Sequence, residues 1–143
     1  MDVEPAVKSV VLTLAILGST SDSTAQGVLV FDVGIEIREN CEIIVNRKDR
    51  KIESLKSPFS STGKCRILPS SETNIPRIEF VQGEYVLLVE SSVTTAEACR
   101  AELAAITINR DGRLRLSTKT QHTSACGSAE RKDYEILRHH SRK

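Results

Sequence analysis

The clearest strand pattern is in Ala104-Ala-Ile-Thr-Ile-Asn-Arg-Asp-Gly-Arg-Leu-Arg-Leu-Ser117, where runs of alternating polar and apolar residues flank an Asp-Gly pair. Such a pair between alternating runs is a strong hairpin signal. A two-residue loop would pair apolar with charged residues and mix the faces of the hairpin. A three-residue loop over 110–112 keeps one face wholly apolar, with Gly112 as a bulge at positive φ. The predicted pairs are Ile108 with Leu114, Ile106 with Leu116, and Thr107 with Arg115.

Alternation elsewhere predicts more strands. The residues of 28–37 alternate throughout, which indicates one strand that buries Leu29, Phe31, Val33, Ile35 and Ile37. A three-residue loop over 38–40 would then pair Ile37 with Cys41 on the buried face. A two-residue loop of Gln82 and Gly83 would pair Phe80 with Tyr85 and start a strand that is apolar on both faces. We therefore expect a mainly β fold, with six to eight antiparallel strands in one small sandwich or open barrel.

Helical signals are few. Thr94-Thr-Ala-Glu97 fits a capping box and predicts one short helix over 95–102. Tyr134–Leu137 is interpreted as a last short strand, and the basic tail over 138–143 as frayed. The serine- and proline-rich segment 54–74 is the longest irregular stretch, so it is a candidate binding loop.

Residues 1–25 have the order of features of a secretory signal peptide. Lys8 precedes an apolar run over 10–17, and a small-x-small sequence ends at Ala25, where we predict cleavage. Two acidic residues near the start run against the pattern, and a buried N-terminal helix is the alternative. The run is too short to cross a bilayer, so no transmembrane segment is expected after signal removal. The predicted product is one periplasmic or secreted β-domain over 26–143.

The four cysteines predict two disulfides, because an even number behind a secretory signal indicates an oxidised framework. Of the three possible connectivities we expect Cys41–Cys65 and Cys99–Cys126, since each pair brackets a local stretch. A four-thiolate zinc site is disfavoured, because such sites use close cysteine pairs and these cysteines are at least 24 positions apart. We expect no metal and no other cofactor.

Charge does not indicate nucleic-acid binding. The formal net charge is +1 and becomes +3 without residues 1–25, which is only mildly basic. Arg113 and Arg115 form a modest basic stripe without an exposed aromatic side chain beside it, so a nucleic-acid partner is disfavoured. The charged turn over 46–51 could bind an anion, but its mixed charges favour a solvated loop.

Catalytic residues are hard to assemble from this sequence. His139 and His140 are in the tail, and His122 is in a polar segment that has no free thiol to activate. Glycosidases need only two carboxylates, and the candidates are Glu36, Glu79 and Glu84. Outward carboxylates on strands are ordinary, however, and a chain without tryptophan makes a poor sugar-binding cleft. The sequence favours a protein that is not an enzyme.

The functional hypothesis is a small exported binding domain that acts on a partner protein or an envelope polymer. It follows from a cross-linked scaffold, a long loop and the scarcity of catalytic groups. Two alternatives stay open. One is an inhibitor or small hydrolase that acts on envelope polymers, and the other is a subunit of an exported assembly.

Overall fold

The computed structural model describes residues 7–8, 26–60, 63–70, 73 and 75–141. It is mainly β, with 49% strand and 9% helix, and it contains two antiparallel sheets, one short helix and two disulfides, which confirms the predicted fold class. The strands are β1 (Val7–Lys8), β2 (Gln26–Val30), β3 (Val33–Ile37), β4 (Ile43–Arg47), β5 (Glu53–Leu55), β6 (Lys64–Ile67), β7 (Ile78–Val81), β8 (Glu84–Thr94), β9 (Cys99–Ile108), β10 (Leu114–Leu116) and β11 (Gln121–Thr123), and the helix is α1 (Arg131–His140).

Sheet A is a meander in the order β1-β2-β3-β4-β5. The prediction of one strand over 28–37 is wrong, because the chain reverses at Phe31 and Asp32, which both have positive φ. The two-residue turn shifts the alternation by one position. As a result Val30 is buried opposite Val33, whereas Leu29, predicted inside, is exposed.

The loop between β3 and β4 is longer than predicted. Ile37 pairs with Ile43 rather than with Cys41, so residues 38–42 form a five-residue connection. Cys41 itself takes the left-handed conformation, with φ of 72°. The shift is two positions, so the buried face is unchanged and Cys41 is still inside.

Sheet B is built on β8 and β9, which pair from Tyr85 opposite Ile108 to Thr94 opposite Cys99. β10 and β11 both pair with the outer edge of β9, and β6 and β7 with the outer edge of β8. Each edge of this sheet is therefore made of two short strands in succession.

Two predicted hairpins of sheet B are confirmed. Gly112 has φ of 77° at the end of the Asp-Gly loop, and Gln82 and Gly83 form the two-residue loop between β7 and β8. Every predicted pair occurs: Ile108 with Leu114, Ile106 with Leu116, Thr107 with Arg115, and Phe80 with Tyr85.

The predicted helix over 95–102 is wrong. The Thr95 hydroxyl does accept hydrogen bonds from the amides of Glu97 and Ala98, but these close a tight turn between β8 and β9. The long ladder of β8 and β9 satisfies more backbone groups than one or two isolated helical turns would.

The predicted strand over Tyr134–Leu137 is also wrong, because these residues belong to α1. The helix begins with a capping box in which Glu130 and Asp133 bond each other's backbone amides. Its buried face is formed by Tyr134, Leu137 and Arg138, at helical spacing. The tail is therefore ordered helix as far as His140 rather than frayed, and residues 142–143 lie outside the described part.

The layers are sheet A, sheet B and α1, and β8 lies inside sheet B between β9 and the β6 and β7 edge. Between the two sheets lies a core of side chains from β2, β3, β4, β6, β8 and β9. A second core lies between the other face of sheet B and α1; its buried members are Leu68, Val81, Val86, Leu88, Leu103, Ala105, Tyr134 and Leu137.

The two ends of the sandwich differ. Both predicted disulfides form, Cys41–Cys65 and Cys99–Cys126, and they lie beside the 38–42 loop and the β8–β9 turn; we call this the disulfide end. At the opposite end the strands are joined by turns at 31–32, 48–52, 82–83 and 109–113, and we call this the turn end. Most of the predicted signal segment, with its cleavage point, lies outside the described residues.

Candidate functional site

A cleft of about 390 Å³ opens at the turn end, where three turns from the two sheets meet. This volume is in the range of small-ligand sites. The lining residues come from the β2–β3, β4–β5 and β9–β10 turns: Phe31, Asp32, Val33, Arg47, Lys48, Arg50, Asp111, Gly112 and Arg113.

One ion pair and several hydrogen bonds hold the walls of this cleft in place. Arg47 forms an ion pair with Glu53 across the β4–β5 hairpin, and it also donates to the carbonyl of Gly112 at 3.5 Å, which joins sheet A to sheet B. Gly112 can take its φ of 77° without strain and lies close to Val33. The β9–β10 loop is held further by Asn109, whose side-chain oxygen accepts from the amides of Asp111 and Arg113.

The cleft is rich in cations that have no carboxylate partner. Lys48, Arg50 and Arg113 are exposed, and no carboxylate of the described residues lies within ion-pair distance of them. Asp32 and Asp111, which also line the cleft, likewise form no ion pair in the described part of the chain. The cleft therefore offers both cationic donors and carboxylate acceptors to a ligand.

An aromatic row continues from the cleft along the side of the sandwich. The ring of Phe31 lies 5.0 Å from that of Tyr85, and the Tyr85 ring lies 4.9 Å from that of Phe80. Phe80 is 46% exposed at the sheet edge. Phe31 keeps φ of 50°, which is uncommon for a bulky residue and persists only where the surrounding structure enforces it.

A buried ion-pair network lies at the same end, beneath α1. Glu84 accepts from Arg115 of β10, and its other oxygen lies 2.8 Å from Arg138 of α1. Arg138 also donates to Gln82 in the β7–β8 turn, at 3.1 Å. Because removing one partner of a buried ion pair is strongly destabilising, this network fixes α1 against sheet B and holds the turn end in place.

Two further buried carboxylates hold polar segments against sheet B. Glu90 pairs with Arg66 and accepts from the amide of Gly127. Glu102 accepts from the amide and hydroxyl of Ser60, and from the hydroxyl of Thr120. Both are placed as structural acceptors that anchor loops, since each carboxylate is fully or almost fully buried among donors.

The predicted catalytic candidates are dispersed among ion pairs. Glu36 lies on sheet A and accepts a hydrogen bond from Arg38, which raises the pKa of the Arg38 guanidinium. Glu79 lies on sheet B between Arg77 and Arg131. His122 is largely exposed, with its ring nitrogen 3.8 Å from Glu102. His139 and His140 are in the last turn of α1, with their rings 6.0 Å apart.

The predicted binding loop over 54–74 is partly ordered by β5 and β6. Its described part near Ser60 is tied to Glu102, and Cys65 is bonded to Cys41 at the disulfide end. Residues 61–62, 71–72 and 74 lie outside the described part. The cleft was missed because its walls are three turns that are remote in sequence, although the charged turn over 46–51 was a signal for one of them.

No cluster of potential metal ligands occurs among the residues that the structure describes. In the same part of the chain, no helix is both long and apolar enough to cross a membrane.

Comparison with protein-family models, with curated proteins and with solved structures found no match to this chain.

Proposed function

We propose that this protein is a small exported binding domain, not an enzyme, that holds an anionic envelope or extracellular macromolecule in the turn-end cleft. The observation that carries the proposal is the cleft itself, into which Lys48, Arg50 and Arg113 bring charges without an ion-pair partner in the described chain. Unpaired cations on neighbouring turns attract an anion without first breaking an ion pair.

The scaffold supports this proposal because it gives the cleft firm walls. Arg47 pairs with Glu53 and donates to the carbonyl of Gly112, which joins two walls of the cleft, and the side chain of Asn109 holds the β9–β10 loop. A preformed site loses less conformational entropy when a ligand binds. Disulfides are also compatible with an exported protein.

Binding can be tested by titrating the ¹⁵N-labelled chain with four soluble anionic polymers: polygalacturonate, heparin, poly-L-glutamate and a single-stranded oligonucleotide. We expect at least one polymer to shift the amide resonances of 31–33, 47–50 and 111–113, and to leave those of 95–99 at the disulfide end unchanged. Added salt should weaken this binding, because exposed charges are screened.

Matched variants locate the binding site. Lys48→Ala with Arg50→Ala removes two exposed cations from the cleft, whereas Lys64→Ala with Arg100→Ala removes two exposed cations from the disulfide end. The first pair should weaken binding about tenfold and the second should leave it near the original value. Equal weakening by both pairs, or no binding of any polymer, would overturn the proposal.

A further inference from the structure

The aromatic row beside the cleft identifies the class of ligand. Phe31 lines the cleft, and Tyr85 and Phe80 continue from it in steps of 5.0 and 4.9 Å toward the exposed edge of sheet B. These are three of the five aromatic side chains in the chain. A ligand that fills the cleft and extends beyond it therefore meets rings as well as charges.

Sugar rings suit such a row. The C–H groups on one face of a pyranose are apolar and slightly positive, and the face of an aromatic ring is negative, so the two attract. The sequence has no tryptophan, which made a sugar cleft a poor expectation. The structure instead has three smaller rings in succession, tilted by 60° and 55° from one to the next; Phe31 and Tyr85 are half-buried against the core and Phe80 is exposed.

The charges of the cleft indicate that the sugar is acidic. The guanidinium groups of Arg50 and Arg113 suit a carboxylate, with which arginine forms paired hydrogen bonds. Asp32 and Asp111 lie among these cations as acceptors that no ion pair of the described residues occupies. Carboxylates of this kind accept hydrogen bonds, which the free hydroxyls of a polysaccharide can donate and the phosphodiester groups of a nucleic acid cannot.

We infer that the turn-end cleft and its aromatic row bind a carboxylated polysaccharide, a chain of uronic-acid-type sugars. One sugar carboxylate is bound by the arginines of the cleft, and the following rings lie along Phe31, Tyr85 and Phe80. This inference rests on the proposed function, because it names the substrate class of the same cleft.

The test compares polygalacturonate with three polymers that each lack one feature. Its full methyl ester keeps the sugar ring without the charge, poly-L-glutamate keeps the carboxylate without the ring, and the single-stranded oligonucleotide supplies phosphate with flat bases. The full chain should bind polygalacturonate at least about tenfold more tightly than each of the others. Tighter binding of poly-L-glutamate or of the oligonucleotide would overturn the inference.

Variants of the row make the test specific to stacking. Phe80→Ala should weaken polygalacturonate binding about tenfold and leave any binding of poly-L-glutamate unchanged. Val93→Ala is the matched control, because Val93 is 44% exposed and Phe80 is 46% exposed. Val93 lies near the end of β8 that is away from the aromatic row. Both side chains are exposed, so both variants should remain folded, which thermal unfolding would verify. Equal affinities of the two variants for polygalacturonate would overturn the inference.

The two proposals fail in different ways. Resonance shifts at the cleft with poly-L-glutamate or the oligonucleotide, but not with polygalacturonate, would overturn the sugar inference and leave an anion-binding cleft. The absence of shifts with all of the polymers would overturn both.

Discussion

Tyr134 is completely buried between α1 and sheet B, and its hydroxyl has no hydrogen-bond partner among the described residues. Burial raises the pKa of this phenol well above its ordinary value of 10.0, because the anion would lose its hydration. The guanidinium of Arg77, 4.8 Å from the ring centre, lowers the pKa by a smaller amount.

This shift predicts a loss of stability at alkaline pH. Above pH 10 the unfolded chain releases the Tyr134 proton and the folded chain keeps it, so the unfolded state gains stability. The contribution of Tyr134 to the free energy of unfolding is complete below pH 10, and at higher pH it falls by up to about 1.4 kcal/mol per pH unit. Urea unfolding measured between about pH 8 and pH 11 tests this expectation.

Tyr134→Phe is the control for that experiment. It removes the titrating group and an unpartnered hydroxyl, so it should flatten the alkaline slope and cost little stability near neutral pH. Wild type and variant with parallel alkaline slopes would contradict the prediction.

Single residues also show where the sequence was insufficient. Glu84 was expected on an outward polar face, whereas it is buried with Val86 and Leu88 on the face that α1 covers. Alternation shows which residues share a face, but it cannot show that a remote segment packs there. Because Tyr134–Leu137 was interpreted as a strand, the second core and the buried role of Arg138 were missed.

At the scale of the hairpin, the conformation of Gly112 predicts a measurable cost for Gly112→Ala. The added Cβ would meet only Val33, at an ordinary contact distance of 3.6 Å, so the cost is conformational rather than steric. A non-glycine residue in the left-handed region costs about 1–2 kcal/mol. The free energy of unfolding of the variant should fall by that amount.

Gly27→Ala is the matched control, because Gly27 lies in β2 outside the left-handed region and its Cβ would meet only a carbonyl at 3.7 Å. Alanine should be neutral or slightly stabilising there, by at most about 1 kcal/mol, since glycine loses more conformational freedom on folding. Equal losses for the two variants would show that the left-handed turn does not determine the cost.

Hairpins were predicted well where a glycine fixed the turn. Gly112 and Gly83 set loop length and register together, because glycine marks the position of positive φ. The turn at Phe31 was missed and the loop that contains Cys41 was predicted two residues too short, since these residues take positive φ without a sequence signal for it. The helix predicted at Thr95 was wrong for a third reason: a threonine hydroxyl that accepts backbone hydrogen bonds can stabilise a turn as well as a helix N-terminus.

For the whole molecule, the fold places the cross-links and the proposed binding site at opposite ends. Both disulfides are at one end, and the cationic cleft and aromatic row are at the other. The predicted cleavage after Ala25 would remove β1, which pairs with β2 at the edge of sheet A.

The disulfides differ in exposure, which predicts the order in which they are reduced. Cys41 and Cys65 are 7% and 5% exposed, whereas Cys99 and Cys126 are half-buried near an exposed turn. Because reduction requires a thiolate to reach a sulfur atom, mild reductant should open Cys99–Cys126 first. We expect graded reduction followed by alkylation and mass mapping to label Cys99 and Cys126 before the other two, and denaturant to abolish the difference.

Intact masses measured in the same alkylation experiment also test whether the protein is exported. Protein recovered from the exported fraction should lack residues 1–25, take no alkyl label before reduction, and take four after complete reduction. Labelling of Cys41 and Cys65 first would contradict the predicted order of reduction. A full-length protein with four free thiols would instead contradict export and disulfide formation together, and would restore His122 and the cysteines as catalytic candidates.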